Sequence, residues 1–105
     1  MALNSAQLQE TETTICQAPA LTTRAVLSIT FCNVTSVDKN ITMYAYTSTG
    51  SAGDGTCIVK NYTVEAYDTF IWSSNEKFIL YNYDKISGLC NLNDGVTATA
   101  NYYDM

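Results

Sequence analysis

Polar and apolar residues alternate along most of this chain, and a period of two residues is typical of β-strands that bury one face. In the segment 24–33 the alternating residues Ala25, Leu27, Ile29 and Phe31 are predicted to face the core. Seven further segments have the same pattern or are rich in β-branched and aromatic residues. These predicted strands are residues 13–18, 41–46, 57–62, 64–72, 78–80, 85–92 and 96–103.

Turn-forming residues separate the predicted strands at intervals that suit a sandwich or barrel. Asn93-Asp94-Gly95 is typical of a hairpin turn, because Asp and Gly tolerate positive φ. We expect a long Ser-, Thr- and Gly-containing loop at 47–55 and a turn at 73–75. The pattern predicts an all-β fold, a single antiparallel β-sandwich of about eight strands, immunoglobulin-like or jelly-roll-like. The predicted core residues are Leu27, Ile29, Phe31, Ile41, Met43, Phe70, Trp72, Ile79 and Ile86.

Residues 1–12 differ from the rest of the chain, because they are polar and weakly patterned. Leu3 and Leu8 are the large aliphatic residues that follow Met1 in this segment, and two such residues are too few for a core element. We therefore expect an extended N-terminal arm at 1–12 that precedes a β-sandwich domain at 13–105. The arm is predicted to be mobile alone and to bind a neighbouring subunit, with Leu3 and Leu8 in shallow pockets.

The charge of the chain disfavours several classes of partner. The formal net charge is −5, and no run of Lys or Arg occurs, so neither nucleic acid nor an anionic membrane surface is an expected partner. No apolar stretch approaches the roughly 20 residues that span a bilayer. The first residues also lack the basic and apolar regions of a signal peptide, which predicts synthesis and assembly in a cytoplasm.

The four cysteines, Cys16, Cys32, Cys57 and Cys90, lie in segments that read as strand. We expect them to be free thiols packed as small apolar groups; two disulfides in a secreted domain and a four-thiolate zinc site are the alternatives. Sequons for N-glycosylation begin at three asparagines, but without a signal peptide we expect none of them to be modified. They start at Asn33, Asn40 and Asn61.

Candidate catalytic groups are few. The chain has no His, and its Asp residues lie in or beside predicted turns, where Asp bonds the local backbone. Ser51 between Gly50 and Gly53 lacks the Gly-x-Ser-x-Gly pattern of a nucleophile elbow, and no glycine motif for phosphate occurs. We therefore expect no enzyme activity, no cofactor and no metal site.

The surplus of tyrosine is more informative, since the chain has eight. Tyrosine combines a large contact area with a polar tip and gathers at protein interfaces. Eight are hard to bury in a small sandwich, so we predict that some contact another chain. The predicted interface residues are Leu3 and Leu8 of the arm together with Tyr81, Tyr83, Tyr102 and Tyr103.

A series of short segments from Ala25 onward carries a resemblance to a known group of proteins. The segments are Asn33-Val-Thr-Ser36, Ile41-Thr-Met-Tyr44, the strand near Ile58, Asp68-Thr-Phe70 and Phe78-Ile-Leu-Tyr-Asn-Tyr-Asp84-Lys-Ile86. In this order they resemble small virion proteins of tailed bacteriophages, notably those of marine bacteria. Such proteins usually have Gly-Asp before the position of Lys85, where this chain has Tyr83-Asp84.

The resemblance implies a non-enzymatic capsid decoration (cement) protein that binds the major capsid protein on the outside of a phage head, as a homo-oligomer. The alternative is a neck, tail or fibre component, whose partner is another virion protein. One form of this alternative is an adhesin that binds a receptor or glycan through the 47–55 loop and exposed tyrosines. Virion proteins of this kind assemble in the host bacterial cytoplasm, which suits free thiols. The resemblance supplies no catalytic residues.

Overall fold

The computed structural model describes residues 2–73 and 78–105, and this part of the chain forms eight β-strands and one short 3-10 turn. The turn at Asp54–Thr56 lies in the long loop expected from the sequence. The turn expected at 73–75 lies partly outside the described residues. The strands are β1 (Ala2–Gln7), β2 (Thr13–Gln17), β3 (Thr23–Asn33), β4 (Lys39–Tyr46), β5 (Cys57–Val64), β6 (Thr69–Tyr81), β7 (Lys85–Cys90) and β8 (Val96–Asp104).

The strands form two antiparallel four-stranded sheets that pack face to face. The first sheet has the order β1-β8-β3-β6, and the second has the order β2-β7-β4-β5. Every connection except the one from β4 to β5 crosses from one sheet to the other. This strand order is that of the eight-stranded jelly roll, in which two Greek keys interlock. The predicted β-sandwich is confirmed, and it is of the jelly-roll form.

A β-bulge in β3 sets which of its residues face the core. Val26 pairs with Tyr102 and the next paired residue, Ser28, pairs with Asn101, so Leu27 has no partner in the ladder. The extra residue shifts the alternation by one position. Val26 therefore faces inward before the bulge, and Ile29 faces inward after it. Leu27 was predicted in the core but is only half-buried, because it is the bulged residue.

A second core prediction is wrong at Ile79 of β6. The side chains of Phe78 and Leu80 belong to or pack against the core, so Ile79 between them lies on the outer face and is 48% exposed. Because consecutive residues in this part of β6 are all apolar, the sequence does not show which of them face the core. Pairing of β6 with β3 decides it, since Ile79 lies opposite the outward-facing Ala25.

The other predicted core residues lie where the alternation placed them. Five are fully buried, namely Ile29, Phe31, Ile41, Met43 and Ile86. Phe70 and Trp72 pack against the core at its rim. Aromatic contacts join the rim to the interior, with ring centroids 6.0 Å apart for Phe31 and Phe70, 4.1 Å for Tyr62 and Phe70, and 5.6 Å for Trp72 and Phe78.

The N-terminal segment is part of the domain, which corrects the prediction of a separate arm at 1–12. Strand β1 pairs with β8 without a register shift, from Ala2 opposite Tyr102 to Gln7 opposite Thr97. Leu8 has no exposed surface and belongs to the core, and its N–H donates to the Val96 carbonyl at 2.8 Å. Backbone pairing with β8 holds β1 in place, and this pairing does not require apolar side chains.

Four of the loops meet at one end of the sandwich, and buried Asn33 ties two of them together. Its Nδ2 donates to the carbonyls of Val37 and Val64, both at 2.9 Å, and its Oδ1 accepts the Thr35 N–H. A side-chain nitrogen enclosed in this way is not accessible to a glycosyl donor. Among the described residues, no helix has the length and apolar character needed to cross a membrane.

Candidate protein-docking surface

An apolar surface lies at the end of the first sheet opposite to Asn33. We term it the apolar corner, and it consists of Leu21, Ile79, Tyr81, Tyr83, Tyr103 and Met105. Four of these residues are on or next to the outer face of the first sheet, and two are in loops at the same end.

Cross-strand pairing places the outer-face residues of the apolar corner side by side. Ala25 of β3 lies directly between Ile79 of β6 and Tyr103 of β8. One step further, Thr23 pairs with Tyr81, and its carbonyl accepts the N–H of Met105 at 2.8 Å. Ala25 is fully buried although it is outside the core, because larger side chains flank it.

An ion pair lies beneath the apolar corner, on the inner side of the sheet. Arg24 donates to both carboxylate oxygens of Asp104, at 2.7 and 3.2 Å, and to the Gln17 carbonyl at 3.0 Å. Its guanidinium also lies 4.0 Å from the ring centroid of Tyr102. The hydrogen bonds from Arg24 hold the pKa of Asp104 below its ordinary value and raise that of Arg24. Among the described residues, the outer face above this pair carries no charged side chain.

The two loops of the apolar corner are held in a strained conformation. Leu21, Asn82 and Tyr83 have positive φ values of 54, 46 and 71°, which cost L-residues energy. Hydrogen bonds between the loops fix this backbone: Asn82 Oδ1 accepts the Leu21 N–H at 3.0 Å, and the Tyr83 N–H donates to Ala18 at 2.9 Å. Leu21 is 79% exposed, so contacts within the chain do not explain an apolar side chain there.

A groove of about 200 Å³ borders the apolar corner. It lies between the end of β4 and β6, and its walls include Ala45, Phe78, Ile79 and Leu80, with Asp84 at the rim. A cavity of this size holds one large apolar side chain of a partner, and such anchors supply much of the energy at protein interfaces.

The structure separates the six predicted interface residues into three sets. Tyr81 and Tyr103 lie on the outer face at the apolar corner, and Tyr83 lies in the β6–β7 loop at the same end. Leu3 is 69% exposed on the same outer face in the edge strand β1, where its partner Asn101 lies two residues before Tyr103. Leu8 and Tyr102 were misplaced, since Leu8 is in the core and Tyr102 packs against it beneath Arg24.

Sequence reasoning missed Leu21, Ile79 and Met105 as members of the surface. The sequence does indicate which residues of β8 face the core. Ala98 and Ala100 alternate with threonines, and continuing this alternation places Tyr102 inward and Tyr103 outward. No local signal marks Leu21, whose loop position and positive φ depend on contacts with the β6–β7 loop.

The opposite end of the sandwich is acidic. Besides Glu12, whose carboxylate lies against β7, its loops contain five of the ten acidic residues, and Lys39 at the start of β4 is the nearby basic residue. We term this set the acidic end, and it consists of Glu10, Asp38, Glu65, Asp68 and Asp94. Within the described residues, no group of three or more His, Cys, Asp or Glu side chains is arranged to hold a metal ion.

The outer face of the second sheet carries a small polar cluster around Glu12. The Glu12 carboxylate accepts hydrogen bonds from the Ser87 hydroxyl at 2.5 Å and from the Tyr46 hydroxyl. The hydrogen bond from Ser87, and after it the bond from Tyr46, lower the pKa of Glu12. Burial raises this pKa by less than either hydrogen bond lowers it, and the charge of Lys85 lowers it slightly further. The cluster joins the β1–β2 loop to β4 and β7 and so has a structural role.

The four cysteines are free thiols, each within a strand. Cys16 and Cys90 are buried, and burial raises the pKa of Cys16. A thiol of this kind packs as an apolar group and reacts slowly, because the thiolate is the nucleophile.

Comparisons with known proteins leave the geometry of the apolar corner as the guide to function. No protein-family model matches the sequence, and no curated protein or solved structure is significantly similar to it.

Proposed function

We propose that this chain is a non-enzymatic structural protein of a bacteriophage virion, a capsid decoration protein that binds the head surface through the apolar corner. The observation that carries the proposal is an exposed apolar surface whose described sheet residues carry no charge, in a chain of net charge −5. Such surfaces mark binding sites for other proteins.

The size of the apolar corner sets the strength of binding that is expected. Removing the exposed part of each large side chain from water contributes on the order of 1–2 kcal/mol. The five exposed side chains give roughly 5–10 kcal/mol, which is comparable to the cost of association, about 4–15 kcal/mol. One copy would therefore bind weakly. Firm attachment is expected when several linked copies bind a repetitive surface, as a capsid provides.

Two further features support a role in assembly. Hydrogen bonds within the chain already fix the backbone of the corner loops, so binding requires little further ordering of these loops. The jelly roll is also a common architecture of viral capsid domains, although it occurs in lectins as well. The choice of a phage head as the partner rests on the resemblance of the chain from Ala25 onward to phage virion proteins.

Co-sedimentation with heads of the phage that encodes the chain tests the proposal. We expect the wild-type protein to sediment with expanded heads in hundreds of copies, as counted by quantitative mass spectrometry. Tyr81→Asp places a charge in the apolar corner without touching the core, and it should reduce the bound copies by at least about tenfold.

Tyr67→Asp is the matched control, because Tyr67 is 71% exposed at the acidic end. It should bind like the wild type. Binding of Tyr81→Asp at wild-type level would assign attachment to another surface, and absence of wild-type protein from heads would reject the decoration role. About a dozen copies located on the tail would instead indicate the neck or tail alternative.

A glycan-binding tail or fibre component is the second candidate, and one observation favours it. A polar cavity of about 160 Å³ lies beside stacked Tyr62 and Phe70, with Glu65 and Asp68 in its wall. Aromatic rings stack on sugar rings, and carboxylates accept hydrogen bonds from sugar hydroxyls. Chemical-shift changes at Tyr62 upon addition of host surface polysaccharide would support this function, and their absence would leave the decoration role alone.

A further inference from the structure

We propose that β1 is a self-association edge, at which two copies of this chain pair their β1 strands antiparallel across a two-fold axis. The proposal concerns an edge of the first sheet and not the apolar corner, so it stands apart from the capsid-binding function. Its product is a continuous eight-stranded sheet with the order β6-β3-β8-β1-β1-β8-β3-β6.

The hydrogen-bond register of β1 shows which backbone groups are free for pairing. Leu8 donates to Val96, which makes this a hydrogen-bonded pair of the β1–β8 ladder. Hydrogen-bonded pairs alternate in antiparallel sheets, so Ala6 and Asn4 also bond to β8. The N–H and C=O groups of the intervening residues, Leu3, Ser5 and Gln7, therefore point away from β8 toward the free edge.

These outward groups are self-complementary. When two copies of β1 pair across a two-fold axis, residues on the outer face of one copy must lie opposite residues on the outer face of the other. A register centred on Ser5 meets this condition. In that register Leu3 lies opposite Gln7 of the second copy, Ser5 lies opposite Ser5, and about six backbone hydrogen bonds form. The Gln7 carbonyl already accepts from Gln9 Nε2 at 3.2 Å, and its second lone pair remains for the partner.

The other edge strands carry features that oppose pairing with a second chain, whereas β1 does not; in β6 the feature is a register irregularity in its pairing with β3. Strand β2 has a register irregularity, and the side chains of Asn4 and Arg24 bond its Ile15 and Gln17 carbonyls. Strand β5 has two irregularities and contains Lys60. Breaks and charges of this kind are how sheet edges are protected.

Strand β1 has none of these protections in its described residues. Its sequence, Ala-Leu-Asn-Ser-Ala-Gln, contains no charge and no proline, and its register is continuous. The second copy fits this edge on electrostatic grounds as well. Two chains of net charge −5 repel each other at most approaches, but an uncharged edge brings no carboxylates together.

Sedimentation velocity of the isolated protein tests the pairing. The interface is small, so we expect a monomer near 10 μM and a growing dimer fraction toward about 1 mM. Ser5→Pro removes an N–H that points to the free edge, and proline is tolerated at such positions in edge strands. It should weaken the dimer at least about tenfold, while Ser5→Ala keeps the N–H and should dimerise like the wild type.

Amide hydrogen exchange gives a second measurement that needs no variant. The amides of Leu3, Ser5 and Gln7 should exchange rapidly in the monomer and become protected at high concentration. Those of Asn4 and Ala6 should be protected at both concentrations. A chain that stays monomeric at about 1 mM, or a dimer that leaves the Leu3 and Ser5 amides unprotected, overturns the proposal. An unchanged dimer in a folded Ser5→Pro variant overturns it equally.

Discussion

Replacing Leu8 with alanine tests whether the N-terminal segment belongs to the domain. Leu8 has no exposed surface, its side chain lies near Gly88 in the second sheet, and its backbone bonds to Val96 and Asp94. Leu8→Ala leaves these backbone bonds in place and removes buried methyl groups. Buried leucines lose about 2–5 kcal/mol on this change, and full burial between two sheets supports a value near 3 kcal/mol.

That loss is large compared with the stability of a small domain, about 5–15 kcal/mol. For a domain of this size it lowers the melting temperature by about 12–20 °C, as measured by circular dichroism with a urea titration alongside. Leu3→Ala is the matched control, because Leu3 lies in the same segment on the surface. It should change the free energy of unfolding by less than about 0.5 kcal/mol. Equal effects of the two variants, or a loss below about 1 kcal/mol for Leu8→Ala, would refute the packing described for β1.

Three other predictions follow from single contacts. Because the pKa of Glu12 is lowered in the folded state, its carboxylate stabilises the fold above the pKa of the unfolded carboxyl, and this stabilisation is lost as the pH falls through the folded pKa. Melting temperatures measured across this pH range should therefore fall less steeply below about pH 5 in Glu12→Gln than in the wild type. Asn33→Ala leaves buried carbonyls unpaired and should cost about 2–3 kcal/mol in urea unfolding, whereas exposed Asn40→Ala should cost less than about 1 kcal/mol. Leu21→Asn relieves strain at positive φ and should raise the free energy of unfolding by up to about 1 kcal/mol. The same variant should bind phage heads more weakly, because it removes an apolar side chain from the apolar corner. A lower free energy of unfolding would contradict the strain described for Leu21.

The fold class was readable from the sequence because one face of most strands is buried. In β4 and β8 the alternation alone identifies both the strand and its inner face. The same rule failed at β3, where the bulge at Leu27 shifts the phase, and a bulge has no fixed sequence signature. Strand β1 was missed because its stabilisation comes from backbone pairing with β8 and from Leu8, which follows it in the chain.

The candidate surface was only partly predictable for a related reason. An excess of tyrosine is typical of contact surfaces, and Tyr81 and Tyr103 share the outer face at the apolar corner. What assembles them is non-local, because β3, which contains Thr23 and Ala25, lies between β6 and β8 and is distant from both in the sequence. Leu21 joins through a hydrogen bond to Asn82, a contact between loops that no local pattern encodes.

The acidic end lies opposite to the apolar corner, so negative charge is concentrated at one end of the sandwich. If the apolar corner is fixed to a particle, the loops with Asp38, Glu65 and Asp94 point toward the medium. Hundreds of copies would then cover the particle with a carboxylate layer, giving it a negative zeta potential. Repulsion between such layers acts over a Debye length of about 8 Å at physiological ionic strength, so salt would govern how closely neighbouring particles approach.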